Sequence, residues 1–275
     1  MEINLDQTIN SGQVFLWKKT GDTWYGVDGQ NVFAASQTKA ESLEGDRIDF
    51  FRKNDNLEKI LKDISKDLTI KSAVKKFSGL RLLRQDPFQC YISFIVSSNS
   101  SIQNIRSSLY RICEKFGKKT TFRGTKFHLF PEPKRLARAS NEELSSCGLG
   151  YRVPFVKKAA TSVTENEIDF DFLKKSDYQT AKDALLGVFG IGNKVADCIL
   201  LFSLDKLESF PLDRWILRSL QNYYPGRFSF DGKTLTDKKY QALHSELVQY
   251  FGKYAGYSQQ FLFKMIRDEN QKKWL

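Results

Sequence analysis

An α+β fold is predicted, with an antiparallel β-sheet at the N-terminus packed on a mostly helical body. Three observations predict it. Short aromatic and β-branched runs, Gln13-Val-Phe-Leu-Trp-Lys18, Thr23-Trp-Tyr-Gly-Val27 and Asn31-Val-Phe-Ala-Ala35, are cut by the turn signals Thr20-Gly-Asp22 and Asp28-Gly-Gln30, the pattern of a strand meander. From Leu57 onward apolar residues recur at helical rather than alternating spacing. Within that helical part, Gly187-Val-Phe-Gly-Ile-Gly-Asn-Lys194 is a glycine-rich turn between two helical stretches.

The sheet is expected to give way to helices after Leu43-Glu-Gly-Asp46. Leu57, Ile60, Leu61 and Ile64 share one helical face, and a basic helix or turn follows through Lys76. A domain boundary is expected near Phe77-Ser-Gly79, dividing the chain into a β-rich part, residues 1–80, and a helical part, residues 81–275. Asp86-Pro87 is a helix start, and Phe88, Tyr91, Ile92, Phe94 and Ile95 form a buried helix ending at Ser97-Ser-Asn99. A second helix is predicted from Ile102 to Phe116, then a basic, poorly patterned loop from Gly117 to Pro133. Asn141 begins a short helix that ends at Cys147-Gly148, and Gly148-Leu-Gly150 presents Tyr151 and Arg152 ahead of a helix from Val156 to Thr164. Tyr178–Leu186 reads as the helix before the glycine turn, and Val195, Ala196, Ile199, Leu200 and Phe202 mark the one after it. Tyr240, Leu243, Leu247, Val248 and Phe251 define an amphipathic helix, and Gly256 opens the last one, with Gln259, Phe261, Leu262, Phe263 and Ile266.

Composition narrows the class of partner. The 275 residues carry 43 Lys and Arg against 32 Asp and Glu, a net charge of +11, which favours a polyanion such as nucleic acid or an anionic membrane surface. Four cysteines stand singly at 90, 113, 147 and 198, with no close pair suited to zinc and no secretory signal at Met1-Glu-Ile-Asn-Leu-Asp6, so reduced thiols in an intracellular protein are expected. No apolar run reaches the roughly 18–20 residues of a membrane span.

The glycine turn carries the chemistry. Gly190 and Gly192 allow positive φ and close approach, and the following helix start aims unpaired N–H groups outward, which makes an anion site. Lys194 stands in that helix's first turn, where the macrodipole disfavours a cation by up to about 1 kcal/mol. Such an environment suits an amine that must lose its proton to act as a nucleophile. Downstream, Phe210-Pro-Leu-Asp213 precedes the apolar run Trp215-Ile-Leu217, the place of a helix N-cap. Asp213 is on this evidence either a plain cap or an electrostatic partner for a developing cation.

The hairpin ending at Lys194 and the Phe-Pro-Leu-Asp213 loop resemble the helix-hairpin-helix and Gly/Pro-Asp motif of base-excision DNA glycosylases, with the hairpin at residues 178–204. Flanking segments narrow the resemblance to the 8-oxoguanine DNA glycosylase/AP lyase family of the eukaryotic type, with its archaeal and bacterial members. They are Ser11-Gly-Gln-Val-Phe-Leu-Trp17, Gln85-Asp-Pro-Phe-Gln-Cys90 with Phe94-Ile-Val-Ser-Ser-Asn99, Gly148-Leu-Gly-Tyr-Arg152, Lys194-Val-Ala-Asp-Cys198 and Tyr254-Ala-Gly-Tyr-Ser-Gln259. Together these segments run in family order over nearly the whole chain.

The resemblance implies roles. Lys194 is the nucleophile and Schiff-base amine, and Asp213 stabilises the cationic sugar. The Gly12 carbonyl would accept the N7–H that 8-oxoguanine has and guanine lacks. Cys198 and Phe263 would face the two sides of the extruded base, with Pro211 in the same pocket and the Gln259 amide on the base edge. Asn99, Tyr151 and Arg152 would fill the vacated stack and read the orphaned cytosine, with Asn104 at the position of a further reader. Backbone N–H groups of Gly190, Ile191 and Gly192 would hold a phosphate, and carbonyls of Leu186, Val188 and Ile191 a monovalent cation. No cofactor is required, and neither zinc nor an iron–sulfur cluster is expected, the cluster's cysteine spacing being absent from Gln259 to Leu275. The implied partner is double-stranded DNA containing 8-oxoguanine, bound without a membrane by an intracellular monomer, in the cytoplasm or nucleoid if the source is a prokaryote.

Without the resemblance Gly12 reads as a turn glycine, Asn99 as a helix cap, Phe263 as core, Cys198 as a small buried hydrophobe, and Tyr151 and Arg152 as a core ring and a solvated charge. Two other functions stay open: a glycosylase for another damaged base, and a non-catalytic helix-hairpin-helix DNA-binding module. The sequence departs from the family at Phe189, usually proline, at Trp215, a histidine near the phosphate in eukaryotic members, and at Ser100-Ser101, commonly asparagines. Asn104 replaces an arginine that helps read cytosine.

Overall fold

The computed structural model describes residues 3–37, 39–43, 49–230, 232 and 235–271. Helix α1 (Leu5–Ile9), capped by the Asn4 side chain, leads into a four-stranded antiparallel meander. Its strands are β1 (Trp17–Thr20), β2 (Thr23–Asp28), β3 (Asn31–Ala35) and β4 (Ala40–Ser42), paired in sequence order. Helices α2 (Leu57–Ile64) and α3 (Leu68–Lys76) follow, capped by Asn56 and Asp67. The helical body continues with α4 (Pro87–Val96) and α5 (Ile102–Phe116), then the hairpin β5 (Lys119–Phe122) and β6 (Thr125–His128). It goes on with α6 (Pro133–Ala137), α7 (Asn141–Ser145), a 3₁₀ turn at Gly150–Arg152, and α8 (Val153–Thr164). The remainder is α9 (Phe170–Lys175), α10 (Tyr178–Leu186), α11 (Asn193–Ser203), α12 (Arg214–Tyr223), α13 (Asp237–Phe251) and α14 (Ala255–Gln271).

The predicted architecture holds, with differences at its edges. The Gln13 run is not a strand from its start: Val14, Phe15 and Leu16 are all buried, and pairing begins only at Trp17. The segment read as a loop from Gly117 to Pro133 contains the β5–β6 hairpin, whose residues are exposed or half-buried on both faces, so no apolar alternation announced it. Helices α1, α6 and α9 are five or six residues long, too short for a 3.6-residue period to register. The expected change of structure at Glu44-Gly-Asp46 lies outside the described residues.

Two cores hold the sheet. On one face Trp17 stacks on Phe33 and Phe50 at 6.0 and 5.4 Å, with Leu5, Ile9, Trp24, Phe51 and Leu83 around them. On the other, Phe15, Leu16, Val27 and Val32 enter the same apolar core as α4, α11 and α14. That core also takes up Phe77 and Leu80, at the boundary expected between the two parts.

The seam between sheet and body is built from side-chain amides. Buried Gln13 donates to Arg81 O at 2.9 Å and accepts from Leu83 N at 2.8 Å, while Gln85 Nε2 donates to Gln13 O at 2.8 Å. Gln89 donates to Val27 O at 2.8 Å and accepts from Gly29 N at 2.9 Å. Each bond satisfies a buried backbone group that would otherwise cost about 1–3 kcal/mol. The two segments quoted for family likeness, Ser11–Trp17 and Gln85–Cys90, are therefore the two sides of one joint. Among the described residues no helix is long and apolar enough to cross a membrane.

In β2, Gly26 faces Trp17 across the ladder, and a Cβ there would fall 2.1 Å from the indole ring. Gly26→Ala is expected to cost on the order of 1–3 kcal/mol through overpacking, read from denaturant melts followed by tryptophan fluorescence. An unchanged midpoint would show that the indole shifts freely and that the seam does not depend on this contact.

Candidate active site

Helix α11 begins at Gly192, which offers no side chain to cap it, so the first N–H groups of the helix stay open. Gly190 takes φ +93°, and a Cβ on it would strike the Phe155 ring at 2.4 Å. The turn thus needs glycine both for its backbone and for its packing. Val188 and Ile191 are buried and anchor the turn, whereas Phe189 at its tip is exposed.

In the first turn of α11, Lys194 enters a cleft of about 530 Å³, within the range of small-ligand sites. Its Nζ donates to Ser97 Oγ at 3.3 Å and lies 5.3 Å from the centre of the Phe94 ring. Among the described residues no carboxylate comes within ion-pair distance of it, Asp213 included. Asp213 lines the same cleft and caps α12 by accepting Ile216 N at 2.8 Å, so the cap reading is correct and leaves the second carboxylate oxygen available. Burial raises the Asp213 carboxyl above its ordinary value, opposed first by the charge of Lys194 and then by the Ile216 and Trp215 N–H groups and Arg267.

The cleft also gathers Gly12, Cys198, Pro211, Gln259 and Phe263. Gly12 has φ +83°, and its missing Cβ would sit 2.8 Å from the Phe263 ring. Phe263 is half-buried rather than sealed in the core. Burial pushes the Cys198 thiol up to about 12, so it presents a neutral, polarizable surface. Gln259 is buried and donates Nε2 to Pro211 O at 3.3 Å, while its Oε1 makes no hydrogen bond. A buried amide oxygen without a partner costs free energy and marks a place for a ligand donor.

A second hollow of about 550 Å³ shares Lys194 and Asp213 with the first and runs past Gly190, Gly192 and Asn99. Asn99 adopts φ +47° and is exposed. It does not cap α5, because Ser101 does, accepting Asn104 N at 3.2 Å. Arg152 reaches across to donate Nε to Ser98 O at 2.8 Å and Nη2 to Asn99 O at 3.1 Å. Tyr151, 56% exposed, lies under its guanidinium at 4.4 Å. The readings of Tyr151 as core and Arg152 as solvated thus both fail, and Asn99, Tyr151 and Arg152 form one projecting unit. Asn104 is exposed on the first turn of α5 at the edge of the 530 Å³ cleft.

Residue-by-residue reading of the sequence missed three contributors. Ser97 contacts the lysine, Arg267 lines the cleft one turn beyond Phe263, and buried Asp197 fixes the surroundings. Asp197 accepts from Tyr178 and Tyr240 at 2.6 Å each and pairs with Lys182 at 3.1 Å. Tyr240 and His244 in turn receive the N–H groups of Leu212 and Phe210, at 3.0 and 3.2 Å. Only the i, i+4 spacing of Phe263 and Arg267 was a usable signal. Among the described residues no group of three or more His, Cys, Asp or Glu is placed to hold a metal ion.

A glycine-rich hairpin between two helices, with its lysine sharing a cleft with the aspartate of a following Pro-Leu-Asp loop, is the architecture of the helix-hairpin-helix DNA glycosylases. Residues 1–91 match the family of 8-oxoguanine DNA glycosylase N-terminal domains, and residues 92–243 the HhH-GPD superfamily of base excision DNA repair proteins. The chain is 32% identical to the N-glycosylase/DNA lyase OGG1 of Arabidopsis thaliana, over 95% of this chain and 77% of that one. It is 35% identical to a probable N-glycosylase/DNA lyase of Methanothermobacter thermautotrophicus, over 69% and 64%. It superposes on the Clostridium acetobutylicum 8-oxoguanine glycosylase/lyase, solved with double-stranded DNA containing cytosine opposite 8-oxoG, with a TM-score of 0.86 at 26% identity, covering 98% and 93% of the two chains. The chain belongs to the 8-oxoguanine DNA glycosylase family of the HhH-GPD superfamily.

Asparagine at 213 keeps an oxygen for the α12 cap and removes a carboxylate whose ionisation the fold disfavours. That penalty is absent at low pH and grows as pH rises from the unfolded carboxylate's range through the raised native value. Asp213→Asn is therefore expected to melt no lower than the wild type at pH 7 while losing roughly 10²-fold or more in turnover. The wild type should lose activity on the acid side at a pH above the ordinary carboxylate range. A melting temperature that falls in step with activity would make Asp213 a cap only.

Proposed function

We propose that this enzyme, an 8-oxoguanine DNA glycosylase and AP lyase, works through Lys194 as nucleophile and Asp213 as its electrostatic partner. The observation that carries the reading is one cleft holding an amine without a carboxylate partner, a half-buried carboxylate and a base-sized recess with an unpaired buried amide oxygen. C1′ of a stacked nucleotide is out of reach, so the damaged nucleotide is rotated out of the duplex into the recess. Neutral Lys194 Nζ attacks C1′, the bond from C1′ to the base nitrogen breaks, and the base leaves as it takes up a proton. Asp213 offsets the positive charge that grows on the sugar. Ring opening gives an imine between Nζ and C1′, loss of a C2′ proton follows, and the 3′ phosphate is eliminated.

The remaining residues support recognition. The Gly12 carbonyl, held beside Phe263, is the acceptor for N7–H, which guanine cannot supply. Cys198 and Phe263 offer apolar surface to the base, and Gln259 Oε1 accepts from its edge. Asn99, Tyr151 and Arg152 replace the extruded nucleotide and meet the orphaned base. The open N–H groups of Gly190 and Gly192 take a phosphate; the Ile191 N–H, expected to join them, is instead spent within the turn on Val188 O. Val188 O accepts Ile191 N at 3.1 Å, and with Leu186 O and Ile191 O it offers lone pairs that suit a monovalent cation. All of these groups come from one chain, which suits action as a monomer.

Lys194→Gln is expected to abolish covalent trapping to 8-oxoguanine DNA under borohydride, because an amide forms no imine, and to leave DNA binding largely intact. Trapping at the wild-type level would assign the nucleophile to another amine.

Asn104 offers a short neutral amide where a charged donor would add a cytosine contact worth about 1–3 kcal/mol. A shallow preference for cytosine opposite the lesion is expected, with adenine, guanine and thymine pairs also processed, in single-turnover rates at one salt concentration. Asn104→Arg should steepen it. A steep preference in the unaltered enzyme would give the reading of cytosine to another residue.

A further inference from the structure

Arg267 projects from α14 into the wall between two hollows. It lines the 530 Å³ cleft and also a neighbouring groove of about 610 Å³ bounded by Asn10, Gln103, Arg106 and Lys264. Its guanidinium lies 5.5 Å from the Phe263 ring and 5.9 Å from the Trp215 ring. Nη1 is 3.9 Å from the position a Cβ would take on Gly12. Aromatic neighbours hold such a group by its faces and leave its in-plane N–H donors at the edge.

Among the described residues this guanidinium makes no hydrogen bond and no ion pair. The acid next to it, Asp268, is taken by Lys264 at 2.7 Å. The other arginine of the groove, Arg106, donates to the Trp17 carbonyl. Burial disfavours the charge on Arg267 and Asp213 favours it, so the fold accepts a partly desolvated cation without giving it a direct partner. A charge so placed is costly unless a ligand completes it. The cleft takes the base and the hairpin N–H groups take a phosphate along the 550 Å³ hollow, which neither Gly12 nor Arg267 lines, and this leaves the lip at Gly12 and the neighbouring groove for the backbone on the other side.

We propose that Arg267 grips, through its in-plane N–H groups, a phosphate flanking the extruded nucleotide, on the side of that nucleotide away from the Gly190–Gly192 turn. The inference rests on the reading of the cleft as the site of an extruded nucleotide. It assigns to Arg267 affinity and positioning of the sugar, not recognition of the base. The partner is a DNA phosphate rather than O6 or O8 of the lesion, and the experiment separates the two.

Equilibrium binding is measured for the full chain and for Arg267→Gln and Arg267→Lys. The duplexes carry a tetrahydrofuran abasic analogue, which cannot be cleaved through an imine and has no base. Versions with one methylphosphonate in place of either flanking phosphate are included. Arg267→Gln is expected to weaken binding to the all-phosphate duplex by about 10-fold and to lower the salt slope by about 1, with Arg267→Lys recovering part of the loss. One of the two methylphosphonates should weaken the wild type comparably and make Arg267→Gln cause no further loss. An equal loss on all three duplexes, or no loss on the baseless duplex with a loss confined to 8-oxoguanine DNA, would overturn the proposal and place the guanidinium on the pocket or the base. A wild type that binds 8-oxoguanine and undamaged duplexes alike would instead sink the substrate reading, because the phosphate contact is measured without any base.

Discussion

A buried carboxylate organises the active site from below. Asp197 is fully enclosed, and an isolated charge there would be prohibitive, so both of its oxygens are engaged by Tyr178, Tyr240 and Lys182. These partners come from α10 and α13, while Asp197 itself lies one turn below Lys194 in α11. Tyr240 and His244 then extend the network to the Leu212 and Phe210 backbone, immediately ahead of Asp213. His244 accepts that N–H at Nε2, so the imidazole must be neutral on that nitrogen, in keeping with burial holding its pKa below the ordinary value. Lys194 and Asp213 are thus placed by one polar cluster built around a carboxylate with no exposed surface. Breaking such a cluster by removing one partner typically costs about 3–5 kcal/mol, more than an exposed site could recover.

The amide seam has the same relation to the other half of the cleft. Gln13 and Gln85 tie the segment after α1 to the segment before α4, and Gln260 Nε2 reaches Ser11 O at 2.8 Å. Gly12 is therefore fixed from both sides, by Ser11 to α14 and by Gln13 to the body. The segment leading into the N-terminal sheet is thereby held with Gly12 against the Phe263 ring, in the cleft that Gln259 also lines.

Legibility followed the range of the interactions. Helix starts were readable because their causes are local: Asp86 with Pro87, Asp177 before Tyr178 and Asp213 before Arg214 each bond an N–H three residues on. The candidate site residues came from a family pattern covering most of the chain, and the structure gathers Gly12, Lys194, Cys198, Pro211, Asp213, Gln259 and Phe263 around one hollow. What stayed hidden depends on distant partners. In the sequence Asp197 is one polar residue among the apolar residues of α11, and no spacing ties His244 to it. Lys182, with only 4% of its side chain exposed, was indistinguishable from any surface lysine. The β5–β6 hairpin, exposed on both faces, left no hydrophobic signature to read.

The two lysines of the hairpin helices show why the network and the site must be separate. Lys182 is buried, stacks over Tyr178 and Tyr240 at 5.2 and 5.1 Å, and pairs with Asp197. A direct ion pair and two aromatic rings occupy that amine fully, which serves structure and leaves it no room to meet a ligand. Lys194 has a hydroxyl, an aromatic face and the open start of α11 for neighbours, with Asp213 in the cleft but beyond ion-pair contact. Asp213 is in turn kept from collapsing onto the lysine because Ile216 N and the end of the Asp197 cluster hold its loop. Attraction between the two acts across the cleft instead of being spent in a direct bond, and the proposed reaction would bring the sugar between them. The stability cost of leaving both charges incompletely paired is met by Asp197 and the core around it, one helical turn away.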